Sequence, residues 1–186
     1  MPGHSEPEIM WAGKYITAKK EGPWEYVSRS RGIRAAVIIA IDESGEDGAH
    51  LILVEQFRVP LGRPCLELPA GLVGDEAGSE DEEAAAAAIR ELEEETGYRA
   101  TSMRDCGDYY SSPGLVSESF TLFRAEGLTR VGDGGGHEGE NIRVHRSPLA
   151  DIHGFVAARR AEGMAIDVKL LIALGAETWV QAMFGG

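Results

Sequence analysis

Cysteine is nearly absent from this sequence: Cys65 and Cys106 are the two among 186 residues. Two thiols so far apart make neither the disulfide framework of a small secreted domain nor a close metal-binding pair, and both read as reduced core thiols in a cytoplasm. Long apolar runs are missing as well. The longest, RAAVIIAI and LILV, fall well short of the roughly 20 residues that span a bilayer. The opening MPGHSEPEIMWAGKY has no basic start followed by an apolar stretch. The expectation is a soluble, unexported, cytoplasmic protein with no membrane partner. Basic charge is scarce: 18 Lys and Arg stand against 31 Asp and Glu, a formal net charge of −13. A phosphate backbone would be repelled, so nucleic acid is not an expected partner. There is no internal repeat, and the 24 glycines follow no period, which excludes collagen-like and low-complexity chains.

What remains is ordinary globular composition, 43% hydrophobic and 26% charged, sufficient for one packed domain with a small appendage. Residues 15–20 and 24–28 read as short strands around the turn Glu21-Gly22-Pro23, and a basic stretch with Arg29, Arg31 and Arg34 follows. This divides the chain into an N-terminal strand domain, 1–34, and a main domain, 35–186. In the main domain, 35–41 is a continuous β-branched run, 42–48 is turn chemistry, and 49–57 and 66–68 continue the strands. Later strands are expected at 103–109, 119–124 and 142–145, and helices at 148–162 and 167–184. Ser79 with Glu82 has the form of a capping box ahead of AAAAAIRELEEE, which Gly97 ends. Strands interleaved with helices make the fold class α/β (α+β).

Ten acids and one base, Arg90, fall between residues 75 and 95. Like charges one helical turn apart destabilise a helix, so this concentration needs a cause. Glu91, Glu94 and Glu95 stand at i, i+3 and i+4 and share one helical face, while Ala85, Ile89 and Leu92 point elsewhere, toward a core. Glu93 lies apart. Three clustered carboxylates repel unless a hard cation sits between them, and all-oxygen ligation suits Mg²⁺ or Mn²⁺. A solvated acidic face accounts for the same spacing, and Arg90 has Glu94 within reach at i+4, so spacing alone does not choose.

The string Arg90-Glu91-Leu92-Glu93-Glu94-Glu95-Thr96-Gly97-Tyr98, entered from Pro69-Ala70-Gly71, resembles the signature box of the Nudix hydrolases. The match departs at its front, where the stretch after Gly71 is about five residues longer than the family pattern. The first Glu of the box is therefore open between Glu82, which also has the capping role, and Glu76. Further stretches, Val54-Glu55-Gln56-Phe57-Arg58, Glu67-Leu68, Ser112-Pro113-Gly114 and Glu138-Gly139-Glu140-Asn141, resemble the branch that cleaves ADP-ribose and other nucleoside-diphosphate sugars. Pro113 lies 16 residues beyond Gly97, about where that branch carries its marker proline, although Ser-Pro-Gly is also a good turn.

The resemblance implies a mixed sheet sandwiched between helices, with a small N-terminal antiparallel strand piece exchanged in a homodimer. It implies hydrolysis of a pyrophosphate bond to a nucleoside monophosphate and a sugar phosphate. Metal ligands would be Glu91, Glu94, Glu95, Glu140 and the carbonyl of Ala70. Glu138 would be general base, with Glu94 and Arg90 also in the catalytic group. Arg34, Arg58, Pro113 and Trp24 would meet substrate, Trp24 by stacking on a base. Read without the box, Arg34 and Arg58 are surface charges, Trp24 is core or interface, and Glu138 and Glu140 sit on an acidic solvent loop. The glycines from 132 to 139 suit a lid that closes on substrate. His137 and His145 read as ordinary. GDP-mannose as substrate, a nucleoside triphosphate as substrate, and a non-catalytic nucleotide-binding regulator are the rival readings.

Overall fold

A computed structural model of the chain describes residues 6–30, 34–74, 83–137 and 139–175. It opens with β1 (Glu8–Ala12), β2 (Ile16–Glu21) and β3 (Trp24–Arg29), paired in that order as an antiparallel sheet. The sequence pattern predicts only two of these strands. All five residues of β1 are exposed, so it carries no buried alternation from which to read it. The Val27 N–H donates to the Leu115 carbonyl at 2.9 Å, and the Ser117 N–H donates to the Val27 carbonyl at 3.0 Å. Arg29 donates from Nε to Glu118 at 2.6 Å, so this sheet packs on its own chain at 115–118.

The chain continues through β4 (Ala35–Ile39), β5 (Ile41–Asp42), β6 (His50–Arg58), β7 (Arg63–Glu67), β8 (Ala70–Leu72), α1 (Ala84–Thr96), β9 (Tyr98–Arg99), β10 (Ser102–Tyr110), β11 (Ser119–Glu126) and β12 (Thr129–Arg130). It ends with β13 (Arg143–Pro148), α2 (Ile152–Ala161), β14 (Ala165–Ile166) and α3 (Leu170–Leu174). One sheet has the order β10-β11-β4-β8, with β11 and β4 parallel. A second has the order β13-β6-β7-β14, with β5 added against β6 and β14 parallel to β7. Helices with mixed sheets give the expected α/β class.

The unbroken apolar run of β4 follows from burial on both faces. Val37 packs with Leu53, Leu66, Leu122, Val156 and Leu170 in one core cluster, while Ala36 and Ile38 pack with Ala88, Leu92 and Phe123 in another. β6 and β11 divide their side chains between the same two clusters. α1 thus buries Ala88 and Leu92, and Glu95 continues the same buried stripe into the helix's last turn.

Three expectations need correction. Glu83 is extended, with φ −65° and ψ 134°, so α1 starts at Ala84 without a side-chain cap, and Ser79 is not its N-cap. Ser79, Glu76 and Glu82 lie outside the described residues. The helix expected over 167–184 runs from Leu170 to Leu174, because Asp167 ends β14's extension and accepts from the Lys169 N–H at 2.7 Å; residues 176–186 lie outside the description. Cys65 is buried but Cys106 is only half-buried, since it lies on β10 at the sheet's outer position.

A buried polar knot ties β5, β9 and β13 together. Asp42 accepts from the Ser44 N–H at 3.0 Å and hydroxyl at 2.6 Å, from Arg146 Nε at 3.0 Å and from the Tyr98 hydroxyl at 3.1 Å. Burial acts against the charged carboxylate, but these donors outweigh it and hold Asp42 well below the usual carboxylate range. A depressed folded value contributes stability above the unfolded pKa near about 4, and that stability is lost as pH falls through the folded value. Asp42→Asn should therefore cost about 2 kcal/mol near neutral pH, the scale of hydrogen bonds to a charged group. In urea denaturation, the gap to the wild type should hold from about pH 7 to about pH 4 and narrow as pH is lowered further toward about 2, because the folded value lies well below the unfolded one. A gap that stays constant over that range would show that the charge on Asp42 contributes nothing.

Candidate active site

Gly71 in β8 lies directly beneath Glu91 of α1. An added Cβ would overlap the Glu91 side chain, so glycine is what lets the helix carboxylate lie against the strand. One turn further, Glu95 is buried and accepts from the Ala70 N–H at 3.0 Å. Burial pushes its carboxyl up to about 8; the Ala70 donor opposes the rise, and the Glu91 and Glu140 carboxylates add to it. Two acids of the acidic stretch, Glu91 and Glu95, thus meet Glu140 of a later loop at one point of the fold.

Ala70, Glu91, Glu95 and Glu140 line one cavity of about 580 Å³, together with Arg58. Its wall carries three cations, each held by an acid. Arg58 donates from Nε and Nη2 to both oxygens of buried Glu67, at 2.5 and 2.9 Å, which raises the guanidinium's pKa further. Lys169 reaches Asp167 at 2.6 Å, and Arg29 holds Glu118. Cys65 also borders the cavity, but burial first, then Glu67 and Asp167, push its thiol up to about 12, so it is not a nucleophile. Glu67, Asp167, Lys169, Arg29 and Glu118 were not legible as site residues. They come from four separated segments, and the pairing of β14 with β7 and of β3 with residue 116 brings them to the cavity.

The remaining predicted residues lie elsewhere. Glu94 is not on the cavity wall; it accepts from Arg90 Nη1 at 3.0 Å, the i+4 pair, and lies 3.2 Å from the His137 ring. Arg90 Nη1 also donates to Glu91 at 3.0 Å. His137 is therefore not an ordinary histidine, because it bridges to the acidic helix. His145 pairs with Glu55 at 2.8 Å. Arg34 pairs with Asp108 at 2.6 Å, Trp24 is exposed at the β2–β3 turn, and Pro113 is exposed in a turn where the Leu115 N–H donates to Ser112 at 3.0 Å. Glu138 lies outside the described residues. The expected glycine lid is also corrected: Gly135 and Gly136 donate their N–H groups to α1 carbonyls, so this stretch is docked.

The donor chemistry fits a hard divalent cation. Three carboxylates and a backbone carbonyl offer only oxygen, and a cation would offset both the burial of Glu95 and the nearby Glu91 and Glu140 carboxylates. Among the described residues, no three His, Cys, Asp or Glu side chains stand close enough to share an ion. The reason is visible in their partners: Glu91 is held by Arg90, and Glu140 accepts from the His137 N–H at 2.9 Å.

Comparison with known proteins agrees with this geometry. The NUDIX domain model matches residues 31–164. An ADP-sugar pyrophosphatase of Mus musculus is 32% identical over 185 residues, covering 88% of this chain and 81% of that one. An ADP-ribose pyrophosphatase of Bacillus subtilis is 41% identical over 95 residues, 51% of this chain, and the chain spans 46% of that relative's length. A solved structure described as an ADP compounds hydrolase shares the fold with a TM-score of 0.66 at 21% identity, covering 98% of this chain and 96% of that one. With its box on α1, Glu91 and Glu95 of that box lying against β8 and a family model spanning most of its length, the chain belongs to the Nudix family and is a hydrolase of pyrophosphate bonds.

Proposed function

We propose that this protein hydrolyses the pyrophosphate bond of a nucleoside-diphosphate sugar, ADP-ribose first, to a nucleoside monophosphate and a sugar phosphate, with Mg²⁺ or Mn²⁺. The observation that carries this reading is one cavity with a carboxylate set, Glu91, Glu95 and Glu140, and a cation set, Arg29, Arg58 and Lys169, on its wall. The naming of two relatives for ADP-ribose and ADP-sugars favours adenosine diphosphate substrates.

Glu91, Glu95 and Glu140, with Glu94 and the Ala70 carbonyl, would hold the metal. A bound divalent ion neutralises developing charge on the diphosphate oxygens and lowers the pKa of a coordinated water. The chain's own contribution is orientation and charge. Arg90 orients Glu91 and Glu94 through its two hydrogen bonds of 3.0 Å. Glu67 holds Arg58 by two bonds, which presents a fixed guanidinium to a phosphate oxygen or ribose hydroxyl. Glu138 acts as general base, taking the proton of the attacking water. Substrate contacts from Arg34, Trp24 and Pro113 belong to the same reading. The N-terminal domain, 1–34, exposes Ile9, Met10, Trp11 and Trp24; a second copy of the chain would cover these in a homodimer. No helix among the described residues is long and apolar enough to cross a membrane.

A panel of nucleotide sugars with Mg²⁺ tests the assignment, with nucleoside monophosphate as the measured product. ADP-ribose should turn over fastest, and failure of every nucleotide sugar with either metal would sink it. Glu95→Gln should lower kcat by roughly 10³-fold or more, yet leave metal-free thermal stability equal or higher because a buried carboxylate is removed. Full activity in that variant would remove the metal-site assignment. Glu138→Gln should cost about 10²- to 10⁴-fold in single-turnover rate at unchanged Mn²⁺ affinity; a loss of only a few-fold places the base elsewhere. Light scattering at micromolar protein should give a dimer mass, and a fully active monomer would overturn the assembly.

A further inference from the structure

The segment between β12 and β13 crosses the C-terminal end of α1. A helix's last turn leaves carbonyls without intrahelical partners, and this segment meets two of them. The Gly135 N–H donates to the Glu95 carbonyl at 2.9 Å, and the Gly136 N–H donates to the Glu94 carbonyl at 3.0 Å. The approach requires glycine. At Gly134, with φ 67°, an added Cβ would overlap the carbonyl carbon of Thr96; at Gly136, with φ 72°, it would overlap a carboxylate oxygen of Glu140. Gly97, which ends α1 at φ 72°, has the Gly132 carbonyl equally close from the other side. Beyond the glycines, the His137 N–H donates to Glu140 Oε2 at 2.9 Å, and His137 Nε2 lies 3.2 Å from Glu94 Oε2.

We propose that Gly134 to His137 form a latch that positions Glu140. Docking of the glycines on the last turn of α1 sets where the loop enters the cavity, and His137 ties Glu140 to Glu94 across the join. These four residues act through the carboxylates rather than on substrate, so they are positioning residues. The inference rests on the reading of Glu91, Glu95 and Glu140 as the metal-holding set. Three consecutive glycines lose more backbone freedom on ordering than any other tripeptide. Contact explains Gly134, whose added Cβ would overlap Thr96, and Gly136, whose added Cβ would overlap Glu140, while Gly135, with φ 118°, is explained by its backbone conformation. The helix that carries Glu91 and Glu95 and the loop that carries Glu140 thereby share one rigid reference.

The test compares Gly136→Ala and His137→Ala with Gly132→Ala, where an added Cβ would meet only the Gly97 Cα at 4.0 Å. Gly136→Ala should lower kcat about 10- to 100-fold with KM changed by less than about threefold, the signature of misplaced rather than missing groups. Mn²⁺ affinity, measured by calorimetry on metal-free protein, should fall with it. Amide exchange at residues 135 and 136 should accelerate. His137→Ala, at an exposed side chain, should fold normally and lose roughly 3- to 10-fold in kcat, with His137→Gln recovering most of it because its amide can again reach Glu94. If Gly136→Ala matches Gly132→Ala in kcat, Mn²⁺ affinity and exchange, or if His137→Ala is fully active, the latch is wrong. An inactive Glu95→Gln alongside that result leaves the functional reading standing. An active Glu95→Gln removes the functional reading and with it the latch's role in catalysis, whatever the exchange data show.

Discussion

The burial of Glu95 is the constraint on which the rest of this structure depends. A carboxylate removed from water is unfavourable without donors or a cation, and here its donor among the described residues is the Ala70 N–H. That bond needs α1 to lie close over β8, and the closeness in turn needs glycine at position 71. It also needs Leu92 and Ala88, on the same buried stripe of the helix one and two turns earlier, to seat against the second core cluster. Core packing and site geometry are therefore one arrangement: any shift that relaxed Glu95 would open the second core cluster.

The acidic character of the chain has the same origin. A formal charge of −13 would oppose binding of an anionic diphosphate if it acted as a uniform field. The structure instead pairs each cation of the cavity with a carboxylate: Arg58 with Glu67, Lys169 with Asp167, Arg29 with Glu118. Such pairing adds little net stability where the groups are partly exposed. What it supplies is direction, since a guanidinium held by two bonds offers its remaining N–H groups along a fixed line. On α1 the acids are paired in the same way, Glu91 and Glu94 with Arg90 and Glu93 with Arg99, while Glu95 is buried against Ala70.

Much of this could be read from the sequence, for reasons that are local. AAAAAIRELEEE is strongly helix-forming and Gly97 is a stop, so α1 and the shared face of Glu91 and Glu95 follow from spacing. The continuous run 35–41 signals a strand buried on both sides. What escaped notice is short or long-range. β8 and β14 have three and two residues, too few for any period to show. Glu67, Asp167 and Lys169 enter the site only through strand pairing. Ser79 and Glu82 satisfy a capping pattern in the sequence, whereas the backbone is extended at Glu83 and α1 begins after it.

The glycine segment shows why the same residues support opposite readings. Glycine is enriched where a chain must move and where it must approach another backbone closely, and composition does not separate the two cases. The partner decides. At positions 134 and 136 the space a Cβ would occupy is filled by Thr96 and by Glu140, whereas at Gly139, with φ 98°, nothing lies within contact distance. Within one loop, then, the first glycines are selected by proximity and the last by backbone conformation alone. The docked part fixes the loop's root on the last turn of α1. A root held by helix carbonyls ties the position of Glu140 to the same helix that carries Glu91 and Glu95, so the three carboxylates on the cavity wall keep one frame of reference.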